Sequence, residues 1–382
     1  MKKLVPVFSL LLTALFVACQ AKPTEPAAAE QVVYEATDQS LLSSGVIRQI
    51  EIIPLESPDP SALIGGFHQL VLSGDDFYAI NFEGNARVLR FDGQGKFLNS
   101  IGSTGRGPQE YLAISDFSLD ANGNPIIYSD QDEAAYFYQP DGTFVEKKEL
   151  GNRFLKATNG YDGDTFLYLG FNNGTAPLRV LWVNKEGKAP MGYLWDESQV
   201  LMMSESTPVF THYDEAIYVR ESLNDTIYRI TDRVFEPAYN FDFGAYTVPE
   251  EYFQKSDPMA AAEYLFAREF VSTRKFFEND KTVLLEAQIQ KTNSAGEPQV
   301  IMTHGLKDKK SGEWSWFNAE VFLPTDDCIT NYVQGLTDQN EIVCLVDPAK
   351  LLEYKDNPLF TNPEVLADIT DASNFIVLKC KL

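Results

Sequence analysis

Apolar and polar residues alternate in short runs from about residue 47 to the C-terminus, with the period of two that turns successive side chains of a strand to opposite faces. Ile50 and Ile52 stand against Gln49 and Glu51, and Ile376, Leu378, Cys380 and Leu382 repeat the pattern at the end of the chain. Turn signals separate the runs: Asp92-Gly93-Gln94-Gly95, Asp120-Ala121-Asn122-Gly123-Asn124, Pro140-Asp141-Gly142, Lys185-Glu186-Gly187 and Asp338-Gln339-Asn340. Glycine tolerates the positive φ of tight reversals and Asx side chains bond their own backbone, so the pattern predicts a succession of hairpins.

Aligning the strand after each turn gives six cores: Phe77-Tyr78-Ala79-Ile80, Ile126-Ile127-Tyr128, Phe166-Leu167-Tyr168, Ile217-Tyr218-Val219, Val283-Leu284-Leu285 and Ile342-Val343-Cys344. Their starts lie 49, 40, 51, 66 and 59 residues apart, near or above the ~40 to 50 of propeller blades. A small antiparallel sheet cannot bury both faces alone, so such units stack around an axis until the ring closes. The chain is therefore read as all-β, a six-bladed β-propeller with short helical insertions. Asp257-Pro258, Asp347-Pro348 and Asn362-Pro363 supply N-cap and first-turn chemistry for those insertions, the first predicting a helix over residues 259–270 with Met259, Phe266 and Phe270 on one face. The early strand at residues 47–55 is expected to complete the last blade beside residues 375–382, leaving no open edge between the chain ends.

The N-terminus has another pattern. Lys2 and Lys3 precede the apolar run Leu4 to Ala18, shorter than the ~20 residues a spanning helix needs. Phe16-Val17-Ala18-Cys19 then sets a cysteine where lipoprotein signals are cut and acylated. Residues 1–18 are thus assigned as signal peptide, Cys19 as the lipidation site, residues 19–31, broken by Pro23 and Pro26, as a tether, and residues 32–382 as the propeller domain. This address is the cell envelope, anchored to the outer membrane through lipid and facing either the periplasm or the outside.

Charge narrows the partners. The chain has 31 Lys and Arg against 55 Asp and Glu, a net −24, and loss of Lys2 and Lys3 with the signal makes it −26. Nucleic acid is excluded as a partner, because its binding needs cations that displace counterions. An envelope protein, a peptide or a glycan remains, with Trp182, Trp195, Trp314 and Trp316 able to stack on sugars or to pack between blades. Apart from Cys19, the odd number of Cys328, Cys344 and Cys380 cannot all pair, though one disulfide between terminal strands stays open. Cys344 and Cys380 sit at apolar positions, as small buried hydrophobes do.

The stretch Phe91 to Gly102, followed by Gly105-Arg106-Gly107-Pro108-Gln109-Glu110-Tyr111, resembles the hallmark of six-bladed β-propeller lipoproteins of Gram-negative bacteria. Asn224-Asp225-Thr226-Ile227-Tyr228-Arg229 and Phe241-Asp242-Phe243-Gly244 resemble further hallmarks, and Gln109 departs from the family's second glycine. That family is similar in architecture to TolB-like and NHL-type propellers, and its members mostly lack an assigned activity. The resemblance implies a shape and leaves function to the site.

Catalytic signatures are sparse. Gly-x-Ser-x-Gly, His-Glu-x-x-His and the phosphate-binding loop are all missing, and Ser272-Thr273-Arg274-Lys275 matches Ser-x-x-Lys without its companion motifs. His68, His212 and His304 fall in different repeats, where imidazoles either converge on an axial metal or serve structure. Asp120-x-Asn122-Gly123-Asn124 and Asp130-x-Asp132-Glu133 offer oxygen to calcium or another divalent metal, but read more simply as a hairpin turn and an acidic loop, so no metal or other cofactor is assigned. In the loop Gly105 to Tyr111, exposed backbone N–H groups beside Arg106, with Glu110 and Tyr111, are a candidate anion cradle. If the first strand of each blade lines the axis, the channel candidates are His68 or Gln69, Ser115 or Asp116, Lys156, Thr211, Arg274 and Asn331. The expectation is a noncatalytic recognition module binding through Arg106, Glu110, Tyr111, Asp116, Lys156 and Arg274. The alternative is a propeller enzyme, a metal-assisted lyase or hydrolase working at the channel mouth.

Overall fold

A computed structural model describes residues 28–65, 69–81, 86–174, 176–201, 205–320 and 333–382. The signal segment, Cys19, most of the tether, His68, Cys328 and Asn331 lie outside the described residues. Two strands open the described chain, β1 (Glu30–Val33) and β2 (Gln49–Pro54). Blade I then comprises β3 (Leu70–Ser73), β4 (Asp76–Asn81), β5 (Arg87–Phe91) and β6 (Phe97–Ile101). Blade II is β7 (Asp116–Leu119), β8 (Pro125–Ser129), β9 (Ala134–Tyr138) and β10 (Phe144–Glu149). Blade III is β11 (Lys156–Asn159), β12 (Thr165–Tyr168), β13 (Leu178–Val183) and β14 (Met191–Trp195). Blade IV is β15 (Phe210–Tyr213), β16 (Ala216–Val219), β17 (Thr226–Thr231) and β18 (Val234–Asp242). Blade V is β19 (Phe270–Glu278), β20 (Thr282–Thr292), β21 (Pro298–Asp308) and β22 (Trp314–Glu320). Blade VI has β23 (Val333–Leu336), β24 (Glu341–Val346) and β25 (Ile376–Lys381). The six predicted cores are the second strands of the six blades.

Alternation explains why the blades form a ring. On β4, Phe77 and Ala79 pack into the cluster shared with blade VI, whereas Tyr78 and Ile80 pack into the one shared with blade II. Equivalent clusters fill the other seams, so each blade buries both faces only because it has two neighbours. The hairpin turns repeat one device. The side chains of Asp92, Asp120, Asn184 and Asn293 each accept the N–H groups two and four residues on, and a glycine three residues on takes the positive φ.

The early strand closes the ring as expected: β2 pairs antiparallel with β25 as the outermost strand of blade VI. Its free edge is covered too. Ile50 N–H donates to Leu359 and Ile50 C=O accepts from Thr361, while the Asn362 amide bonds both Ile52 N–H and Ile52 C=O. Asn362 therefore clamps a strand instead of capping the 3-10 turn Pro363–Asp368 that follows it. Strand β1 is an addition not foreseen. It begins within the stretch read as tether and runs parallel to β18 as a fifth strand of blade IV. Trp314 Nε1 donates to Glu30 and Trp316 Nε1 to the Val33 carbonyl, so β1 latches blade IV to blade V. Both tryptophans pack between blades, as does Trp182 with Asp164.

The insertions are α1 (Glu250–Phe253), α2 (Pro258–Phe266) and α3 (Pro348–Glu353). Asp257 and Asp347 cap the last two as predicted, each accepting two backbone N–H groups. Helix α2 differs from the expectation in its buried face. Ala261 and Leu265 pack against the blade, Met259 and Phe266 are exposed, and Phe270 already belongs to β19. Among the described residues no helix is long and apolar enough to cross a membrane.

Candidate functional site

The six first strands surround the axis, and a cavity of about 260 Å³ opens between them. Every blade contributes: Gln69 and Leu72 from blade I, Asp116 and Ser118 from II, Ala157 and Thr158 from III, Phe210, Thr211 and His212 from IV, Phe277 from V, and Gln334 and Leu336 from VI. The second strands are the more buried ones and the first strands border the cavity, where a polar side chain shielded from water survives only when a partner satisfies it.

The partners are visible. Thr158 Oγ1 and His212 Nε2 lie 2.7 Å apart across the seam of blades III and IV. Ser118 Oγ donates to Asn159 at 2.8 Å, and Thr211 Oγ1 donates to the Phe276 carbonyl at 2.7 Å. Gln334 Oε1 accepts from Leu70 N–H at 3.3 Å. The His212 ring stays open to the channel, but the protein enclosing it pushes its pKa down to about 4. At neutral pH the ring is therefore uncharged, with one nitrogen donating and the other accepting.

Asp116 is the one ionisable acid of the described lining. Burial pushes its carboxyl above the usual range, opposed by the Lys156 ammonium and by the backbone N–H groups of Ala157 and Phe117. Those N–H groups donate at 3.0 and 2.9 Å, one to each carboxylate oxygen. Asp116 thus ties blade II to blade III, with each of its carboxylate oxygens already engaged by a backbone donor.

The other residues singled out from sequence are distributed as follows. Lys156 is buried beside Asp116, and the next two residues reach the cavity. Arg274 is the extra residue of a bulge between Thr273 and Lys275, where its guanidinium bonds Gln288 at 3.0 Å away from the cavity. Arg106 is exposed on the connection from blade I to blade II. In the same loop the Glu110 carboxylate accepts Gly107 N–H at 2.8 Å, and a Cβ at Gly105 would collide with it. The Gly107 N–H is thus taken by the protein's own carboxylate, and the N–H groups of Gly105, Glu110 and Tyr111 donate to backbone carbonyls of the same loop. Tyr111 is fully buried, its hydroxyl donating to the Ala86 carbonyl at 2.8 Å. The structure brings Asp116 and Lys156 together, and Arg106, Glu110 and Tyr111 into a second place, with Arg274 apart from both.

His304 lies on β21, buried opposite Glu286, and does not share the channel with His212. Asp120 bonds within its own turn, and Asp130 and Asp132 hold neighbouring loops. Among the described residues no three His, Cys, Asp or Glu side chains gather where they could hold a metal ion. Cys344 and Cys380 are buried thiols, both free. Thr158, Phe277 and Gln334 were missed from sequence. The available signal was period two, since Ser118 and Thr158 stand two residues beyond Asp116 and Lys156 on the same face.

Fold and cavity together define a six-bladed β-propeller with a mostly neutral polar pocket on its axis. The chain belongs to the family described as "Domain of unknown function (DUF4934)", which matches residues 31–381. The resemblance read from the motifs is borne out to that extent: a propeller family without an assigned activity. A protein of Bacteroides fragilis described as exported shares the fold at 16% identity and a TM-score of 0.74, covering 93% of this chain and 99% of that one. A member of the duf4221 family from Bacteroides vulgatus does so at 11% identity and a TM-score of 0.51, covering 87% and 98%. A virginiamycin B lyase from Staphylococcus aureus is more distant, with 11% identity and a TM-score of 0.43 over 87% of this chain and 99% of the lyase, and lends this chain no chemistry. No curated protein matches the chain.

Proposed function

We propose that the protein is an envelope lipoprotein, held to the outer membrane through Cys19, whose propeller recognises a small uncharged polar group, the end of a glycan or of a peptide, in its axial cavity. The observation that carries this reading is the lining, in which hydroxyl, amide and neutral imidazole groups stand beside the rings of Phe210 and Phe277 in about 260 Å³. Neutral hydrogen-bonding groups set among apolar walls discriminate by shape and bond pattern. Binding is favoured over turnover because the one carboxylate of the described lining is engaged by two backbone donors, and the one imidazole faces Thr158. Cys19 supports the anchor by its place after the apolar run, and a Cys19→Ser protein found in the soluble fraction would accord with it.

A thermal-shift panel of mono- and disaccharides and short neutral peptides tests the site. The expected result is a hit that Thr158→Val or Gln334→Leu weakens about tenfold, the scale of one lost buried hydrogen bond. A hit bound equally by both variants, or a hit that is chemically converted, overturns the reading.

A further inference from the structure

A second cavity, of about 420 Å³, lies off the axis where the connections of blades III and IV meet α1. The helical insertion that stretches the repeat spacing forms one of its walls, with Glu250 and Phe253 facing in. Phe171 and Arg179 come from the β12–β13 connection and the start of β13, Trp195 and Glu197 from the end of β14 and beyond, and Asp225 from the β16–β17 turn. None of this takes part in the axial site.

Two features of the wall stand out. Trp195 is 65% exposed, whereas the other three tryptophans are buried or half-buried. An indole left in water beside a cavity is an unused aromatic face. The charges are also unbalanced. Arg179 is already committed, with its Nε 3.3 Å from the buried Glu221 and its guanidinium 5.0 Å from the Phe171 ring centroid. Among the described residues no lysine or arginine pairs with Glu197, Asp225 or Glu250, and Asp225 has only the Thr247 hydroxyl, at 2.6 Å. Burial, with a further push from Asp242, raises Asp225 to about 6, so it is still mostly ionised at neutral pH. Aromatic faces and uncompensated carboxylates on one wall suit a group that is positive and polarising, and a net charge of −24 raises the local concentration of cations around the whole molecule.

We propose that this lateral pocket binds an organic cation, an ammonium or guanidinium group, with Trp195 against its face and Glu197, Asp225 and Glu250 as counter-charges. The group is carried either on a lysine- or arginine-bearing polypeptide or on a free polyamine.

The test titrates the purified mature chain with tri-lysine, its fully side-chain-acetylated counterpart and spermidine, followed by calorimetry and tryptophan fluorescence. Saturable binding of tri-lysine is expected, lost on acetylation and weakened roughly three- to thirtyfold by Trp195→Ala, the range of cation–π contributions. Glu197→Gln with Glu250→Gln weakens it without touching a packed residue, and Thr158→Val in the axial cavity leaves it unchanged. Spermidine binding with the same Trp195 dependence identifies free amines as ligands, and its absence points to a polypeptide partner. Equal binding to wild type and both pocket variants would mean diffuse attraction to an acidic surface, equal binding of the acetylated peptide would mean a neutral ligand, and either result overturns the proposal. So does the lack of saturable binding at millimolar concentrations.

Discussion

Replacing Asn362 with alanine removes the clamp on the strand that closes the ring. The side chain donates to Ile52 C=O and accepts from Ile52 N–H, both at 2.9 Å, and so acts as a piece of a further strand along the edge of β2. Two hydrogen bonds at about 0.5–1.5 kcal/mol each set a floor near 1–3 kcal/mol, and burial of the freed groups would raise the cost by about 1–3 kcal/mol apiece. Ile52 itself is 1% exposed, and the segment around Asn362 runs along its backbone edge. That segment keeps its own bonds to Ile50 from Leu359 and Thr361, so it stays docked and only part of the burial penalty applies. The expected loss is about 2 kcal/mol, read as a lower urea midpoint with unchanged slope. Faster amide exchange should be confined to β2 and β25. Asn362→Asp should be no better than alanine, because it keeps the acceptor for Ile52 N–H but sets a carboxylate against Ile52 C=O. A loss below about 0.5 kcal/mol, or a loss with exchange in β2 and β25 unchanged, would refute the clamp.

Three further outcomes follow from buried polar contacts. Glu110→Ala and Gly105→Ala should each cost about 1–2 kcal/mol, and the double variant no more than one of them, because both break the Glu110–Gly107 bond; additive losses in urea melts would deny that the loop is built on this carboxylate. Burial pushes Glu286 up, but Lys275 and His304 outweigh it and hold the carboxyl below its ordinary range; removing it as Glu286→Ala strands the Lys275 ammonium and should cost about 3 kcal/mol, largely restored by Lys275→Met in the same chain. His212, held down to about 4, refuses a proton that the unfolded chain accepts near 6.5, so stability should fall as pH drops from about 6.5 toward 4. Urea midpoints at pH 7, 6 and 5 should therefore decline less steeply in His212→Gln than in wild type, and parallel declines would show the ring to be freely titrating.

The ring was legible because its cause is local. Period-two runs such as Phe77 to Ile80 must bury both faces, the turns carry their own Asx and glycine chemistry, and the unpaired strand at residues 47–55 had one obvious place to go. Strand β1 was hidden because Glu30 to Val33 is too short to alternate and follows a proline-broken run, and its partners Trp314 and Trp316 are far along the chain. The buried face of α2 is not set by side-chain size: Ala261 and Leu265 fit against the blade, while Met259 and Phe266 stay in solvent. At the axis, charge at a first-strand position points to Lys156 and Arg274. A bulge displaces the second, and the first is used to neutralise Asp116, so the lining falls to quieter residues such as Thr158 and Gln334. Pairwise satisfaction of buried polar groups is a tertiary property, and a single sequence does not record it.

Hydrogen exchange of the full mature chain, with and without the best neutral ligand from the panel, addresses the axial site most directly. Occupancy of the cavity predicts slowed exchange in the first strands of several blades at once, β7, β11, β15 and β23, which meet only at the axis. Protection restricted to outer strands or to one blade's loops would place the ligand elsewhere and contradict the account.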